Sequence, residues 1–402
     1  MRLSSNTIYE VGTNMMLQQQ EALIKTQQQL STGKRIVTPS DDPIAAAQAL
    51  SITQAASVNE QYAVNRKSAS SSLMLEENVL KEITSVLQDV HQTAVSAGNA
   101  SYSDADRKAR ATELRSHLES LVTLANSTDD KGQFLFSGYQ ANTKPFVQTG
   151  MNVQYAGDQG QRLTQVSSSR QLAVSDAGAD VFERIKNGNG VFKTAADPVN
   201  TGTGIIDVGS VINPASLTGD DYEISFTVTN GVTTFDVVNA TTGASVSAGN
   251  SYTNNHAISF DGMQLNIKGD PADGDKFTVS PSNNQSIFET VPKVITALET
   301  PSSGQPGSAR LTNILGASLQ DIENSLEHVL AKQTSIGARL QEIDTLDSVG
   351  SDQDIQFQQS LAELQGVDFA KAISDLQRQQ LYLQAAQQSY IKISGLTLFN
   401  FL

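Results

Sequence analysis

The sequence predicts an α+β protein: a long antiparallel helical coiled-coil rod built from both chain ends, with a β-hairpin region and a small antiparallel β domain inserted between the helical halves. Three observations carry this. Residues 1 to about 130, and 286 to the end, repeat apolar residues at intervals of three and four, the period of a helix with one apolar stripe. Residues from about 133 to 285 are rich in Gly, Thr, Asn, Val and Asp and hold short alternating runs, the period of strands. Aromatics make up only 6% of the chain, with no Trp, which suits cores of Ala, Leu, Ile and Val at helical spacing better than a large globular core.

The first helix carries Met16, Leu23 and Leu30 seven apart, with Ile8, Val11 and Met15 on an adjacent stripe. Gly33 suits its C-terminus, where a left-handed residue closes the last turn. Asp42 and Pro43 read as N-cap and first residue of the next helix, because the carboxylate takes an orphan N–H and proline has none to lose. From Ile44 to Ala97 there is neither Gly nor Pro, enough chain for roughly 80 Å of helix at 1.5 Å per residue. Its second half holds Leu73, Leu80, Ile83, Leu87, Val90, Ala94 and Ala97 in a coiled-coil-type stripe. A shorter helix follows, with Ala111, Leu114, Leu118, Leu121 and Ala125 on one face.

In the middle, Phe134 to Phe136, Val153 to Tyr155 and Leu163 to Val166 suggest strands of a small hairpin region. Ile224, Phe226 and Val228 alternate, Asn230-Gly231 predicts a type I′ turn, and Phe235 and Val237 resume the alternation. Ile258 and Phe260, Asp261-Gly262, then Met263, Leu265 and Ile267 repeat the pattern, and Phe277 and Val279 close it. In the C-terminal part, Leu315, Leu319, Ile322, Leu326, Val329, Gln333, Ile336, Leu340 and Ile343 alternate by four and three, with Gln333 the one polar member. A last stripe shifts near Gly366 and resumes through Ile373, Leu376, Leu383, Ala386, Tyr390 and Ile393. The expected divisions are 1–42 (N-terminal helix), 43–189 (helical core with hairpin region), 190–285 (inserted β domain), 286–350 (C-terminal core helices) and 351–402 (terminal helix). The stripes of the two ends are too narrow to stand alone, so the simplest arrangement pairs the first and last thirds side by side.

Composition narrows the function classes. A net charge of −15 argues against a nucleic-acid partner, which needs clustered Lys and Arg. The same charge makes copies repel at low salt, so a polymer of such subunits should assemble better as salt rises. The absence of Cys excludes disulfide and thiolate chemistry. Met1 to Gln20 holds no apolar run of signal-peptide type, and no stretch is apolar enough to span a membrane. The expectation is a cytoplasmic protein or one exported by a route that reads no cleaved signal.

No enzyme motif emerges. The His residues at 91, 117, 256 and 328 are isolated from one another and from acids at metal-ligand spacing. Asp41-Asp42 and Asp129-Asp130 stand beside helix ends, where capping is the ready reading. The stretch Asp270 to Asp275 has the composition of a calcium loop but lacks the spacing and closing Glu of an EF-hand. Asp220, Asp221, Glu223 and Asp275 could supply a glycosidase pair, but they fall in turns and at strand starts, as a solvated rim would. No cofactor and no metal are expected.

The informative string is Leu30 to Ala45, LSTGKRIVTPSDDPIA. Read physically it is helix end, glycine cap, extended link, acidic N-cap, proline and new helix. Read as a string, with Gly33, Lys34, Arg35, Asp41, Asp42 and Pro43 in place, it closely resembles the N-terminal segment of the bacterial flagellin superfamily. Phe134 to Tyr139 with Lys144-Pro145-Phe146, Ser335 to Leu340, Asp368-Phe369-Ala370 and the run Leu381 to Gln388 resemble later segments of the same family, in the same order. The ending Gly395 to Leu402, the start Met1 to Ser4 and the segment Gly274 to Val279 resemble the branch that sits between hook and filament.

The resemblance implies a structural subunit whose termini form an inner coiled-coil layer, with the middle helices and hairpins around it and the insert outside. It implies copies of itself in a ring or short helical layer, hook-associated protein 1 on one side and flagellin on the other. A cytoplasmic chaperone and the flagellar type III export apparatus would deliver it to an extracellular place in the flagellum. On this reading Ile373, Leu376, Leu383, Tyr390, Ile393, Leu396 and Phe399 are the packing face of the terminal helix, and Met15, Met16, Leu23 and Leu30 are its partners within and between subunits. A filament flagellin is the nearest rival, since it shares the fold; a coiled-coil scaffold unrelated to flagella is permitted by periodicity alone.

Overall fold

A computed structural model describes residues 5–255, 257–302 and 304–395. The helices are α1 (Ser5–Thr32), α2 (Pro43–Ala97), α3 (Asp104–Ala125), α4 (Gly178–Phe182), α5 (Ile287–Glu299), α6 (Gly304–Gln365) and α7 (Phe369–Gly395). The strands before α4 are β1 (Phe146–Thr149), β2 (Asn152–Tyr155), β3 (Leu163–Ser167) and β4 (Arg170–Ala173). Those after it are β5 (Ile185–Lys186), β6 (Phe192–Ala196), β7 (Ile205–Ile206), β8 (Ser210–Val211), β9 (Tyr222–Thr229), β10 (Val232–Asn239), β11 (Ser245–Ser251), β12 (Ala257–Phe260), β13 (Met263–Lys268), β14 (Lys276–Pro281) and β15 (Asn284–Gln285). The chain forms two compact units, Met1–Val64 with Thr345–Leu402, and Asn65–Asp344.

The second unit holds a helical core. Its part of α2 buries Leu73, Leu80, Ile83, Leu87, Val90, Ala94 and Ala97, and α3 buries Ala111, Leu114, Leu118, Leu121 and Ala125, the residues the stripes predict. Helix α5 packs along α3 and buries Ile287, Phe288, Val291, Val294, Ile295 and Leu298. Leu315, Ile322, Val329, Ile336 and Ile343 of α6 are all buried. The polar member of that seam is satisfied, because Gln333 Nε2 donates to Thr84 Oγ1 on α2 at 2.7 Å.

Two hairpins follow α3, β1–β2 and β3–β4. Phe134 to Phe136, expected as a strand, instead makes turns and one isolated bridge, Thr128 to Phe134. The apolar run has another use: Phe136 is buried against Phe182 with ring centroids 5.2 Å apart. Phe146 joins Tyr155, Phe182 and Phe288 at 5.1, 5.2 and 4.9 Å, so this aromatic cluster nails the β1–β2 hairpin to α5.

A five-stranded sheet in the order β11-β10-β9-β14-β6 and a smaller sheet, β12-β13-β7 with β8 also on β13, share one apolar core. That core includes Phe192, Tyr222, Phe226, Leu265, Ile267 and Phe277. Both tight hairpins need left-handed backbone. Asn230 and Gly231 have φ of 51° and 78°, and Asp261 and Gly262 have 42° and 80°, as a type I′ turn requires of Asn/Asp-Gly. The Asp-rich loop is an internal cap: Asp275, 2% exposed, accepts backbone N–H bonds from Thr201, Gly202 and Ala272.

Helix α6 runs without a break through 350 and 351, where the sequence pattern suggested a division, and stops at Gln365. The stripe there loses apolar residues and Ser348 to Asp352 are poor helix formers, Gly350 among them, yet the helix continues through them. The actual break, Gly366 to Asp368, lies where the stripe shifts.

Candidate assembly interface

Within the first unit α1 and α7 form an antiparallel pair. The Tyr9 and Tyr390 rings meet edge to face at 6.2 Å, and Lys34 bridges Gly366 at the other end. Residues that are buried or half-buried recur at Gly12, Met16, Gln19, Leu23, Thr26 and Leu30 of α1, and at Ala372, Leu376, Gln379, Leu383, Ala386 and Tyr390 of α7. Both sets alternate by four and three, the coiled-coil seam. Gly12 is small for a reason, since a Cβ there would stand 3.0 Å from the Tyr390 ring.

The structure therefore brings Met16, Leu23 and Leu30 together with Leu376, Leu383 and Tyr390. It places Met15 and Ile373 elsewhere: they are 59% and 48% exposed, on the outer faces. Val11, Leu17, Ile24, Leu381, Tyr382 and Ile391 are exposed there too. The side chain of Ile393, and Leu396 and Phe399, lie outside the described residues, as do His256 and the strings at the two extreme ends. Sequence periodicity finds the seam; the outer set has no period to find it by.

The turn that carries the flagellin-like string joins two connectors. Gly33, at φ 70°, accepts the Val367 N–H at 3.1 Å, and the Arg35 N–H donates to the Gln365 carbonyl at 2.6 Å. The Arg35 guanidinium also donates to the Leu364 carbonyl at 3.0 Å and pairs with Asp42 at 3.3 Å. The α1–α2 link is thus laced to the α6–α7 link. Asp41 accepts N–H bonds from Val37 and Thr38 and pairs with Lys25 at 2.6 Å. The Lys25 ammonium and the Thr38 N–H hold its carboxyl well below the usual carboxylate range. Asp42 caps α2 by accepting the Ala45 N–H at 3.1 Å, and that bond, with Arg35, keeps its carboxyl low. Pro43 opens α2. Gly33, Asp41, Asp42 and Pro43 of the string thus each shape the connector.

Several of the acids and two of the histidines considered for chemistry are engaged in the fold, whereas His117 Nε2 is buried with no hydrogen-bond partner among the described residues. Asp129 accepts N–H bonds from Lys131 and Gln133, Asp220 accepts from Asn239, and Glu223 pairs with Lys276 at 2.9 Å. His91 meets Glu323 at 3.3 Å, and His328 Nε2 lies 2.7 Å from the Asp180 carbonyl. Among the described residues no three His, Cys, Asp or Glu converge as metal ligands, and no helix is long and apolar enough to cross a membrane. One buried ionic group escaped sequence reasoning. Glu76, 1% exposed, accepts the Asp176 N–H at 3.1 Å, and Asp176 pairs with Arg339 at 3.0 Å. Burial, with Asp176 close by, pushes the Glu76 carboxyl up to about 8. Residues 76, 176 and 339 meet only through the fold, and no local pattern announces them.

The comparisons agree with this architecture. The family described as bacterial flagellin N-terminal helical region matches residues 3–141, and flagellar hook-associated protein 1, D2-like domain, matches 196–281. Flagellar hook-associated protein 3 of Salmonella typhimurium is 29% identical over 401 residues, spanning 100% of this chain and 99% of its own. The crystal structure of flagellar hook-associated protein 3 from Legionella pneumophila is similar with a TM-score of 0.75 and 32% identity, covering 78% of this chain and 98% of that one. A flagellin of Listeria monocytogenes is similar over 129 residues, 32% of this chain and 45% of its own.

Proposed function

This chain belongs to the flagellar hook-associated protein 3 family, a structural component of the bacterial flagellum, and from that premise we propose that it forms the layer joining hook to filament. In that layer it associates with copies of itself, with hook-associated protein 1 on the hook side and with the first flagellin subunits beyond. It is required for filament assembly and hence for motility. The role is to hold neighbours in register and involves no catalysis.

The observation that carries this reading is the α1–α7 pair. Among the described residues α1 and α7 close this seam on each other, and apolar side chains such as Met15, Ile373 and Leu381 stand exposed on its outer faces. Apolar area left in water on paired helices is free energy available to further helices, at about 25 cal/mol per Å². The seam residues Met16, Leu23, Leu30, Leu376, Leu383 and Tyr390 close the pair within a subunit, and the outer residues make the contacts between subunits.

Whole-chain similarity to hook-associated protein 3, against partial similarity to flagellin, supports a junction subunit over a filament subunit. The export route follows from the same reading: a chaperone-assisted passage through the flagellar type III apparatus to the cell exterior. Electron microscopy of cells lacking this protein tests the function. Hooks without filaments, with flagellin released to the medium, are expected. Normal filaments in that strain would refute it, and long filaments grown from the purified protein alone would favour flagellin.

A further inference from the structure

The inserted sheets meet α6 through polar side chains on one helix face. Asn313 pairs with the chain as a strand would: its Nδ2 donates to the Gly204 carbonyl and its Oδ1 accepts the Ile206 N–H, both at 2.9 Å. Further along, Asp321 accepts the Gly188 N–H at 3.0 Å and a bond from Gln285 Nε2 at 3.1 Å. Asn324 donates to the carbonyls of Lys186 and Gly188 at 2.9 and 2.8 Å. Residues 186–188 and 284–285 are where the chain enters and leaves the insert, and β5 pairs with β15 there. So Asp321 and Asn324 grip the neck, while Asn313 grips the insert about 12 Å away along the helix.

Between the two grips the surfaces are not packed. A cavity of ≈ 390 Å³ lies there, lined among others by Ala195, Ala196, Ile206, Ile314 and Ala317. A gap of this size holds no apolar interlock that would resist a rotation. Orientation then depends on the second attachment point.

We propose that Asn313 is a latch that fixes the inserted β domain in one orientation on α6, with the β5–β15 neck as the hinge it restrains. Asn fits the task because one amide both donates and accepts, and it meets adjacent N–H and C=O groups of an edge strand that would otherwise face the cavity. Losing two such bonds shifts a latched-to-unlatched ratio by about fivefold each. The domain itself stays folded, since its core residues lie within its own two sheets.

The absence of Cys makes the test direct. Spin labels on Ala244→Cys in the insert and Ala331→Cys on α6 of the full chain report the domain-to-helix distance by double electron–electron resonance. A second pair, Ala244→Cys with Ser259→Cys, reports the insert alone. One narrow distance is expected for the first pair. Adding Asn313→Ala should broaden it and bring in a second population, with the pair inside the insert unchanged. An unchanged first distribution would overturn the proposal, and so would broadening of both pairs, which would mean a loosened domain and not a released one. If Asn313→Ala fails to fold, Asn313→Asp takes its place: it keeps the acceptor but sets a carboxylate against the Gly204 carbonyl, and the same outcomes decide.

Discussion

Two seams in this molecule obey the same four-three rule and end up with different burial. Along α6, Leu315, Ile322, Val329, Ile336 and Ile343 are between 0 and 5% exposed and alternate with half-buried Leu319, Leu326, Gln333 and Leu340, because α2 supplies a neighbour within the same unit. Along α1 and α7 the equivalent positions are mostly half-buried, and only Thr26 and Ala372 fall below a tenth exposed. The terminal seam is also more polar: Gln19, Thr26 and Gln379 lie in it, and the Gln379 carbonyl oxygen has no hydrogen-bond partner among the described residues. The α6 seam holds Gln333, and that residue is paired. Period decides which helices meet; the number of neighbours decides how much free energy the meeting yields. One core is finished inside the subunit, and the other leaves apolar side chains such as Met15, Ile373 and Leu381 exposed for the neighbours proposed above.

Truncation separates the two cases. Ile322→Ala, at a fully packed site, should lower unfolding free energy by about 2–5 kcal/mol through lost burial and the cavity left behind. Urea denaturation of the monomer would show it, and an unchanged midpoint would mean the α6 seam is not the stability core. The next largest effect is pH-dependent and belongs to the same core. The Glu76 carboxyl titrates near 8 when folded and in the ordinary carboxylate range when unfolded. The folded state therefore keeps a proton that the unfolded state has released, and stability falls as pH rises between those two values by up to about 1.4 kcal/mol per pH unit. Glu76→Gln carries no such proton. Its stability should be flatter across that window and should exceed the parent's at pH 8; matching slopes for parent and variant would show that Glu76 is ionised in the fold.

This difference also explains what could be read from the sequence. The helix stripes named the buried apolar faces of α2 and α3 and alternate members of the α6 seam, because one-sided burial imposes a period; Leu319, Leu326 and Leu340 are only half-buried, and buried Ser318 and Ser325 lie outside the stripe. The hairpins at Asn230-Gly231 and Asp261-Gly262 were legible because left-handed φ restricts residue choice. Phe134 to Phe136 misled, since three apolar residues look alike whether they line a strand or plug an aromatic cluster from a turn. Strand β11 was invisible: Ser245 to Ser251 carries almost no apolar side chain and sits at the sheet edge, held by backbone pairing to β10. Of the connector string, the roles of Gly33 and Asp42 follow from local helix-end chemistry. Those of Arg35 and Asp41 do not, because Leu364 and Lys25 reach them only in the folded chain.

Leu383→Ala in the terminal seam should cost the monomer less than about 1 kcal/mol, since a half-buried side chain has little transfer energy to lose. The same change should raise the concentration needed for assembly and remove the salt-promoted onset expected of a chain of net charge −15. Light scattering against salt reads this. A large monomer defect with intact assembly would invert the comparison. Amide exchange sharpens it: in dilute monomer, residues 5–35 and 370–395 should exchange far faster than 315–343, and strong protection of these segments would show that the terminal pair needs no neighbours.

The smallest effect is expected at Gln333→Leu. The change removes the one polar side chain from the α6 seam and its 2.7 Å bond to Thr84 Oγ1. Thr84 is not stranded, because its hydroxyl still donates to the Leu80 carbonyl at 2.9 Å. Loss of one hydrogen bond, worth about 1 kcal/mol net, is offset by added apolar burial of similar size, so the monomer's stability should move by less than about 1 kcal/mol in either direction. What the glutamine contributes is register, since a seam of uniform aliphatic residues can slide by a heptad at little cost while a lone half-buried polar pair loses its partner when it slides. Labels on α2 and α6 within residues 65–344 would report a single distance in the parent and a minor second one in Gln333→Leu. A variant that loses several kcal/mol would show instead that Gln333 holds the seam by energy and not by register.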